Sequence, residues 1–448
     1  MMKNVLFIAY HYPPLGGVGS QRSQKFVRYL VEDGWRSVVL TPEKGSYLLD
    51  PSLQGGESQG IEVVRTRNVD LSSFFKLAVP AQPKSGVSSE ANGSARRGDS
   101  LRSFARRAVH TWAYVPDAQI GWFPYALRAG KRIVKTQDID AIYSTSFPIT
   151  AHLVAYRLKQ ATGKPWIADF RDLWTEFHYA EYSSALRKRL DRLIESRLLE
   201  KTDAILTVSE TLAATLRRLT GGRKRVEVIR NGFDSSDFAG IEYERPPRWT
   251  ITYIGLFYGA RQDPSVFLQA LQRLIESGRI PRQDVLFNIV GEPDSYVRER
   301  VAQFGLDDIT CFTGFVPHRD ALAHQVSSSL LLLILHGDRA NPGVITGKIF
   351  EYLGSRRPIL GIVPASFEVA RIIEETGAGV TVDPSDGSGV ERELLASYLE
   401  YRSGASDHAR SSDLSPYERR AGARQLAGLL SELTGASALP HTQLAEAV

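Results

Sequence analysis

Lys348 and Glu351 stand three residues apart in the segment Thr346-Gly-Lys-Ile-Phe-Glu-Tyr-Leu-Gly354, where Ile349, Phe350 and Leu353 recur at helical spacing. Thr346 is suited to cap the helix and Gly354 to close it; Pro358 then opens the apolar run Pro-Ile-Leu-Gly-Ile-Val. The two charged side chains share the face opposite the apolar one, near the amino end. A first helical turn offers unpaired N–H groups and a partial positive charge, to which Lys348 adds a full one, so Thr346, Gly347 and Lys348 form a phosphate seat. Glu351, one turn on, can accept two hydrogen bonds from the hydroxyls of a ribose. The chemistry is that of a nucleoside-diphosphate clamp, and the plain alternative is an amphipathic helix carrying a surface Lys–Glu pair.

Three further constellations have chemical content. Gly255-Leu-Phe-Tyr-Gly-Ala-Arg261 lies between a strand and a helix, and Arg261 can take a diphosphate in a bidentate fork or be a solvated loop cation. Such cations would stabilise charge on a departing diphosphate without a metal. Asp169-Phe-Arg-Asp-Leu-Trp174 ends a strand with Asp169, Arg171, Asp172 and two aromatics. A carboxylate there can accept a hydroxyl proton or position a sugar, and an internal Asp–Arg brace is the competing account. His152, after Ser144-Thr-Ser-Phe-Pro148, is a weaker catalytic candidate. Metal signals are poor: Asp138-Ile-Asp140 precedes a strand, and no His/Cys set has ligand spacing. No G-x-S-x-G occurs, and Cys311 falls in an apolar strand, so covalent nucleophilic catalysis lacks a candidate.

The elements that must position these groups alternate strand and helix. Val5–Ala9, the loop Tyr10-His-Tyr-Pro-Pro-Leu-Gly16-Gly17-Val-Gly19 and a helix from Ser20 to Asp33 open a doubly wound α/β sheet. The glycine spacing does not complete a dinucleotide fingerprint. Alternation continues to Arg230, pauses at the Pro246-Pro247 linker, and starts again at Ile251. The expected organisation is a first domain over 1–237, a second over 250–405, and a helix over 415–433 that packs back on the first domain. Residues 80–100 read as a mobile loop, and Leu101–Trp112 as a basic amphipathic helix, suited to an anionic membrane surface or to packing on its own domain.

A chain of 448 residues is too long for a single ordinary core. Its 55 Lys+Arg against 50 Asp+Glu is too mild an excess to suggest nucleic acid as a partner. One cysteine precludes an internal disulfide and suits a reducing cytoplasm. No apolar run reaches membrane-spanning length, and the start of the chain runs into a strand with no secretion signal.

Tyr-Pro-Pro-Leu-Gly-Gly-Val-Gly, Ala-Asp-Phe-Arg-Asp-Leu-Trp, Thr-Val-Ser-Glu, Val-Ile-Arg-Asn-Gly-Phe-Asp234, Tyr-Ile-Gly-Leu-Phe-Tyr-Gly-Ala-Arg and Thr-Gly-Lys-Ile-Phe-Glu-Tyr-Leu occur in that order. Together they resemble the retaining glycosyltransferases of family 4, with the GT-B fold, over nearly the whole chain to about residue 385. The resemblance implies two Rossmann-like domains facing a central cleft, the second holding a nucleotide sugar and the first a glycan or polyprenyl-linked acceptor. It implies no obligatory metal or other cofactor and a cytoplasmic site of action, peripheral on the plasma membrane. Carried over, Glu351 holds the ribose, Arg261 takes the place of the diphosphate-binding Lys, and Gly16 and Gly17 lie beneath the phosphates. Two positions depart from the family: Gly343 replaces a Glu and Leu256 replaces an Arg. Sugar transfer in surface polysaccharide synthesis is the function implied; a nucleotide-sugar epimerase or an inactive scaffold of the same fold are the alternatives.

Overall fold

The apolar strand segments pair in parallel, as expected where a crossover helix returns the chain to the same end of the sheet between strands. The computed structural model describes residues 2–44, 60–69, 114–177, 182, 184–257, 259–292, 294–335, 342, 343, 345–405 and 412–435. The basic stretch Leu101–Trp112 and the loop 80–100 lie outside the described residues. The chain divides into two units: the described residues of 1–207, 212–228 and 426–448, and those of 208–211 and 229–425.

In the first unit, β1 (Lys3–Ala9), β2 (Trp35–Pro42), β3 (Ile61–Thr66), β4 (Ala141–Ser146), β5 (Trp166–Phe170), β6 (Ala204–Thr207) and β7 (Arg225–Val228) form one parallel sheet, ordered β3-β2-β1-β4-β5-β6-β7. Helices α1 (Val18–Leu30), α2 (Phe123–Thr136), α3 (Thr150–Thr162), α4 (Ala185–Lys201) and α5 (Glu210–Leu219) alternate with the strands. Leu6, Ile8, Ile142, Trp166 and Ala168 form the centre of a core packed by Ile149, Val154 and Leu158 of the α3 segment. Strand order reverses between β1 and β4, so the loops after these two strands diverge and leave a crevice at their carboxyl ends.

The second unit repeats the plan with β8 (Trp249–Ile254), β9 (Val285–Val290), β10 (Thr310–Gly314), β11 (Leu330–Ile334), β12 (Ile359–Ile362) and β13 (Gly379–Val382), ordered β10-β9-β8-β11-β12-β13. Its helices are α6 (Ser265–Glu276), α7 (Ser295–Gln303), α8 (His318–Val326), α9 (Lys348–Ser355), α10 (Glu368–Glu375) and α11 (Gly387–Ser403). Here the reversal falls between β8 and β11. Both sheets are thus doubly wound and Rossmann-like, the pair of domains that defines the GT-B class.

Helix α9 buries Ile349, Phe350, Tyr352 and Leu353 against Ile254, Leu331 and Leu333. At about 1.5–3 kcal/mol for each large apolar side chain buried, this face alone fixes the helix on the sheet. Two details differ from the sequence expectation. Gly347 is the cap position and carries no side-chain cap bond, so the Thr346 cap is not formed. Gly354 lies inside the helix, which ends at Ser355 with Arg356 left-handed at φ 56. The glycine is required for packing: a Cβ there would lie 2.5 Å from Phe238 Cε2. Cys311 is exposed on the edge strand β10, not enclosed as the apolar sequence around it suggests.

The final helix, α12 (Arg419–Leu433), passes from the second unit into the first. Its carboxyl end is tied to strands of the first unit: Trp35 Nε1 donates to Ser431 Oγ at 3.3 Å, and Lys3 Nζ to Thr434 Oγ1 at 2.9 Å.

Candidate functional site

At the β8/β11 reversal, β8 is followed by Gly255 with φ +96, a conformation that glycine adopts without the Cβ penalty. The Lys348 side chain lies against it: a Cβ on Gly255 would meet Lys348 Cε at 2.8 Å. Lys348 Nζ donates to Tyr253 Oη at 2.5 Å and to Leu256 O at 3.0 Å, and lies 4.2 Å from the centre of the Tyr253 ring. Tyr253 is itself stacked on Phe257 at 3.8 Å and donates to Gln262 Oε1. The lysine is therefore set over an aromatic platform beside an uncapped helix amino end. Burial lowers its amine to about 7, and Glu351 opposes that shift only in part.

One turn further along α9, Glu351 Oε1 accepts from His318 Nε2 at 3.0 Å and Oε2 accepts from Gln325 Nε2 at 3.3 Å. Its side chain remains a quarter exposed, at 25%. Burial alone would raise its carboxyl, but His318, Gln325 and the Arg419 charge outweigh it and hold Glu351 ionised below the usual carboxylate range. An anionic acceptor and a nearby cationic helix start are what a ribose and a diphosphate require.

Thr346, Gly347, Lys348, Glu351 and Gly255 are thus brought to one end of one sheet. The Arg261 backbone lies in the helical turn Gly259–Gln262 after β8, while its side chain lies outside the described residues. Tyr253, His318 and Gln325 were not singled out by sequence. They lie 95, 33 and 26 residues from the α9 groups they touch, and only strand order makes them neighbours.

The first unit carries its own polar cluster at the β1/β4 reversal. Asp169, at 0% exposure, accepts from Arg22 Nε at 3.2 Å, Tyr143 Oη at 2.6 Å and Thr145 Oγ1 at 3.1 Å. Burial would raise its carboxyl, but Arg22, Tyr143 and Arg171 together lower it, so Asp169 stays charged inside the unit. The structure places Asp169 inside the unit, where its carboxylate is shared between Arg22, Tyr143 and Thr145, as in the internal-brace account. Arg171 donates from Nε to Ser146 O at 2.5 Å, and a Cβ on Gly19 would lie 2.0 Å from its Nη1. The guanidinium is thereby held against the glycine turn that starts α1, where Gly17 has φ 89 and accepts from the Ser20 and Gln21 amides. Gly16 is buried beside it, and Asp172 is exposed next to Arg171.

His152 lies in the interior of the same unit. It has 0% exposure, its Nδ1 is 2.8 Å from Ser144 Oγ, and its ring packs 4.4 Å from that of Phe170. Trp166 Nε1 donates to the same Ser144 hydroxyl at 2.8 Å. Burial lowers the ring to about 3, leaving it a neutral core residue. Asp140 of the D-x-D sequence accepts from the Asn4 amide at 2.8 Å and ties the lead-in of β4 to β1.

Two Rossmann-like units in one chain define a protein of the GT-B fold. Residues 16–232 match the glycosyl transferase 4-like domain family and residues 248–398 the glycosyl transferases group 1 family, so the chain is of the glycosyltransferase type. No curated protein matches the sequence. Among solved structures it is similar to sucrose-phosphate synthase from Thermosynechococcus elongatus, at TM-score 0.60 and 15% identity, over 97% of this chain and 100% of that one. It is similar to Anabaena HepE, solved with UDP-glucose, at TM-score 0.59 and 13% identity, over 96% and 99% of the two chains. A structure described as a UDP-N-acetylglucosamine 2-epimerase from Listeria monocytogenes matches at TM-score 0.54 and 14% identity, over 98% of each chain.

Proposed function

We propose that this protein moves a sugar from a nucleotide-diphosphate donor to a glycan or lipid-linked acceptor in surface polysaccharide synthesis, with retention of anomeric configuration. The carrying observation is the α9 arrangement: Lys348 at the first turn beside Gly255, and Glu351 one turn on, bracketed by two donors. In this reading the α9 amino end and Lys348 take the diphosphate, with Arg261 assisting, and neutralise the charge that grows on it as the glycosidic bond breaks. These cations take the part that a metal plays in other transferases, so no obligatory metal is assigned. Glu351 takes the ribose. In the first unit, Arg171 at the Gly16–Gly19 turn and the exposed Asp172 are the groups assigned to contact substrate. UDP-glucose bound to the similar HepE supports a nucleotide sugar as donor.

Among the described residues no helix is long and apolar enough to cross a membrane. Action at the cytoplasmic face of the plasma membrane, with Leu101–Trp112 as the contact, belongs to the same proposal.

The similarity to an epimerase gives the second reading, in which the nucleotide sugar is rearranged and not transferred. A turnover screen across UDP-, GDP-, ADP- and TDP-sugars separates the two. Released nucleoside diphosphate supports transfer or its hydrolytic side reaction, whereas an altered sugar on an intact nucleotide supports epimerisation. Absence of binding to every donor would overturn both and leave a scaffold.

A further inference from the structure

Glu351 is held differently from an ordinary helix-surface carboxylate. An ionised carboxylate has about four lone-pair positions over its two oxygens. Two of them are filled from within the unit: His318 Nε2 donates to Oε1 at 3.0 Å and Gln325 Nε2 to Oε2 at 3.3 Å. One donor falls on each oxygen, which fixes the plane of the group and leaves one acceptor position on each. Two remaining acceptors side by side suit the two adjacent hydroxyls of a ribose.

Both donors come from α8, at its first residue and one residue before its last. His318 follows Pro317, which caps α8, and is 32% exposed. Gln325 has 0% exposure, and its Oε1 is buried with no hydrogen-bond partner among the described residues. An amide left half-satisfied in this way is destabilising. Turning it over would set its oxygen against the Glu351 carboxylate, so the side chain is retained for the bond that Nε2 makes. Both are positioning residues, since they act through Glu351.

Resting on the donor site of the preceding section, we propose that His318 and Gln325 bracket Glu351 so that the site selects donors with both ribose hydroxyls and rejects deoxynucleotides. The specificity lies in the bracket: a freely rotating Glu351 would have to give up its rotamer freedom before it could accept both hydroxyls at once, whereas the held carboxylate is already in place. A hydrogen bond to a charged acceptor is worth about 1.5–3 kcal/mol, which corresponds to about tenfold or more in affinity for each hydroxyl.

The test uses the full-length protein and calorimetric titration with UDP, 2′-deoxy-UDP and 3′-deoxy-UDP. Wild type is expected to bind UDP at least about tenfold more tightly than either deoxy form. His318→Ala should weaken UDP several-fold while leaving the deoxy forms nearly unchanged, so that the ratio collapses toward one. His318→Gln, which keeps an N–H donor, should restore part of the ratio. Gln325→Leu, which keeps the shape without the donor, should act like His318→Ala, and thermal melts confirm that each variant is folded. A wild type that binds UDP without discriminating the deoxy forms would overturn the ribose assignment of Glu351 and this proposal with it. A discriminating wild type whose ratio survives in both His318→Ala and Gln325→Leu would overturn the bracket alone. Uniform weakening of all three ligands would also overturn it, by showing a packing role.

Discussion

The lowered amine of Lys348 makes donor affinity depend on pH in a direction that can be worked out. Its Nζ is held by Tyr253 Oη and Leu256 O over an aromatic ring, and burial brings its pKa to about 7, with Glu351 as the opposing charge. A diphosphate seated there would favour the ammonium form, so only the protonated protein is competent to bind tightly. The apparent dissociation constant then rises as the competent fraction falls: by about twofold at pH 7, about elevenfold at pH 8 and about a hundredfold at pH 9. The sign is that of a lysine whose proton is lost early: affinity is greatest below pH 7 and declines above it. The range to measure begins at pH 7, because a terminal phosphate itself titrates near about pH 6. Calorimetric titration of UDP should show this decline, with uptake of about half a proton per site at pH 7, visible as a dependence of the heat on the buffer. Lys348→Met should bind at least about tenfold more weakly at pH 7 and lose the slope. An affinity that stays flat from pH 7 to 9 in wild type, or an equal slope in Lys348→Met, would refute the assignment of this lysine to the phosphates.

Gly255→Ala should be damaging in two ways, since φ +96 disfavours a side chain by about 1–2 kcal/mol and the new methyl would push Lys348 Cε from 2.8 Å. Lower melting temperature with weaker UDP binding is expected, and a variant unchanged in both would contradict the close approach. Asp169→Ala should lower the unfolding free energy by about 3–5 kcal/mol, because it removes one partner of a buried ion pair with Arg22, at 2% exposure. Urea denaturation followed by far-UV circular dichroism measures this, and an unaltered midpoint would show that Asp169 is no brace. In wild type that contribution should be present at neutral pH and fade in acid as pH falls below the ordinary carboxylate range, since the folded-state carboxyl is held low.

Much of the chain was legible before any coordinates. Alternating apolar strands and amphipathic helices signalled parallel, doubly wound sheets, because a strand buried on both faces must be apolar throughout and a crossover helix must follow it. The placing of Lys348 and Glu351 one turn apart on one helix was equally legible, because helical spacing is local; the partners each takes, Tyr253 and Leu256 for the lysine and His318 and Gln325 for the carboxylate, were not. The buried face of that helix was readable too, as Ile349, Phe350 and Leu353 lie against the sheet. Gly354 was misread as a stop because a glycine inside a helix and one beyond its end look alike in sequence; the rings of Phe233 and Phe238 distinguish them.

What the sequence determined by itself was local: the period of each element, the helix that carries the cation and the carboxylate, and the glycine turns that precede helices. The tertiary structure decided which side chains meet. Strand order sets Tyr253 beneath Lys348 and brings His318 and Gln325 to Glu351, and it seals Asp169 and His152 inside a sheet whose sequence end resembled an open rim. Hydrogen bonds reach about 3 Å, and no pattern along a chain states which residues tens of positions apart will come within that distance.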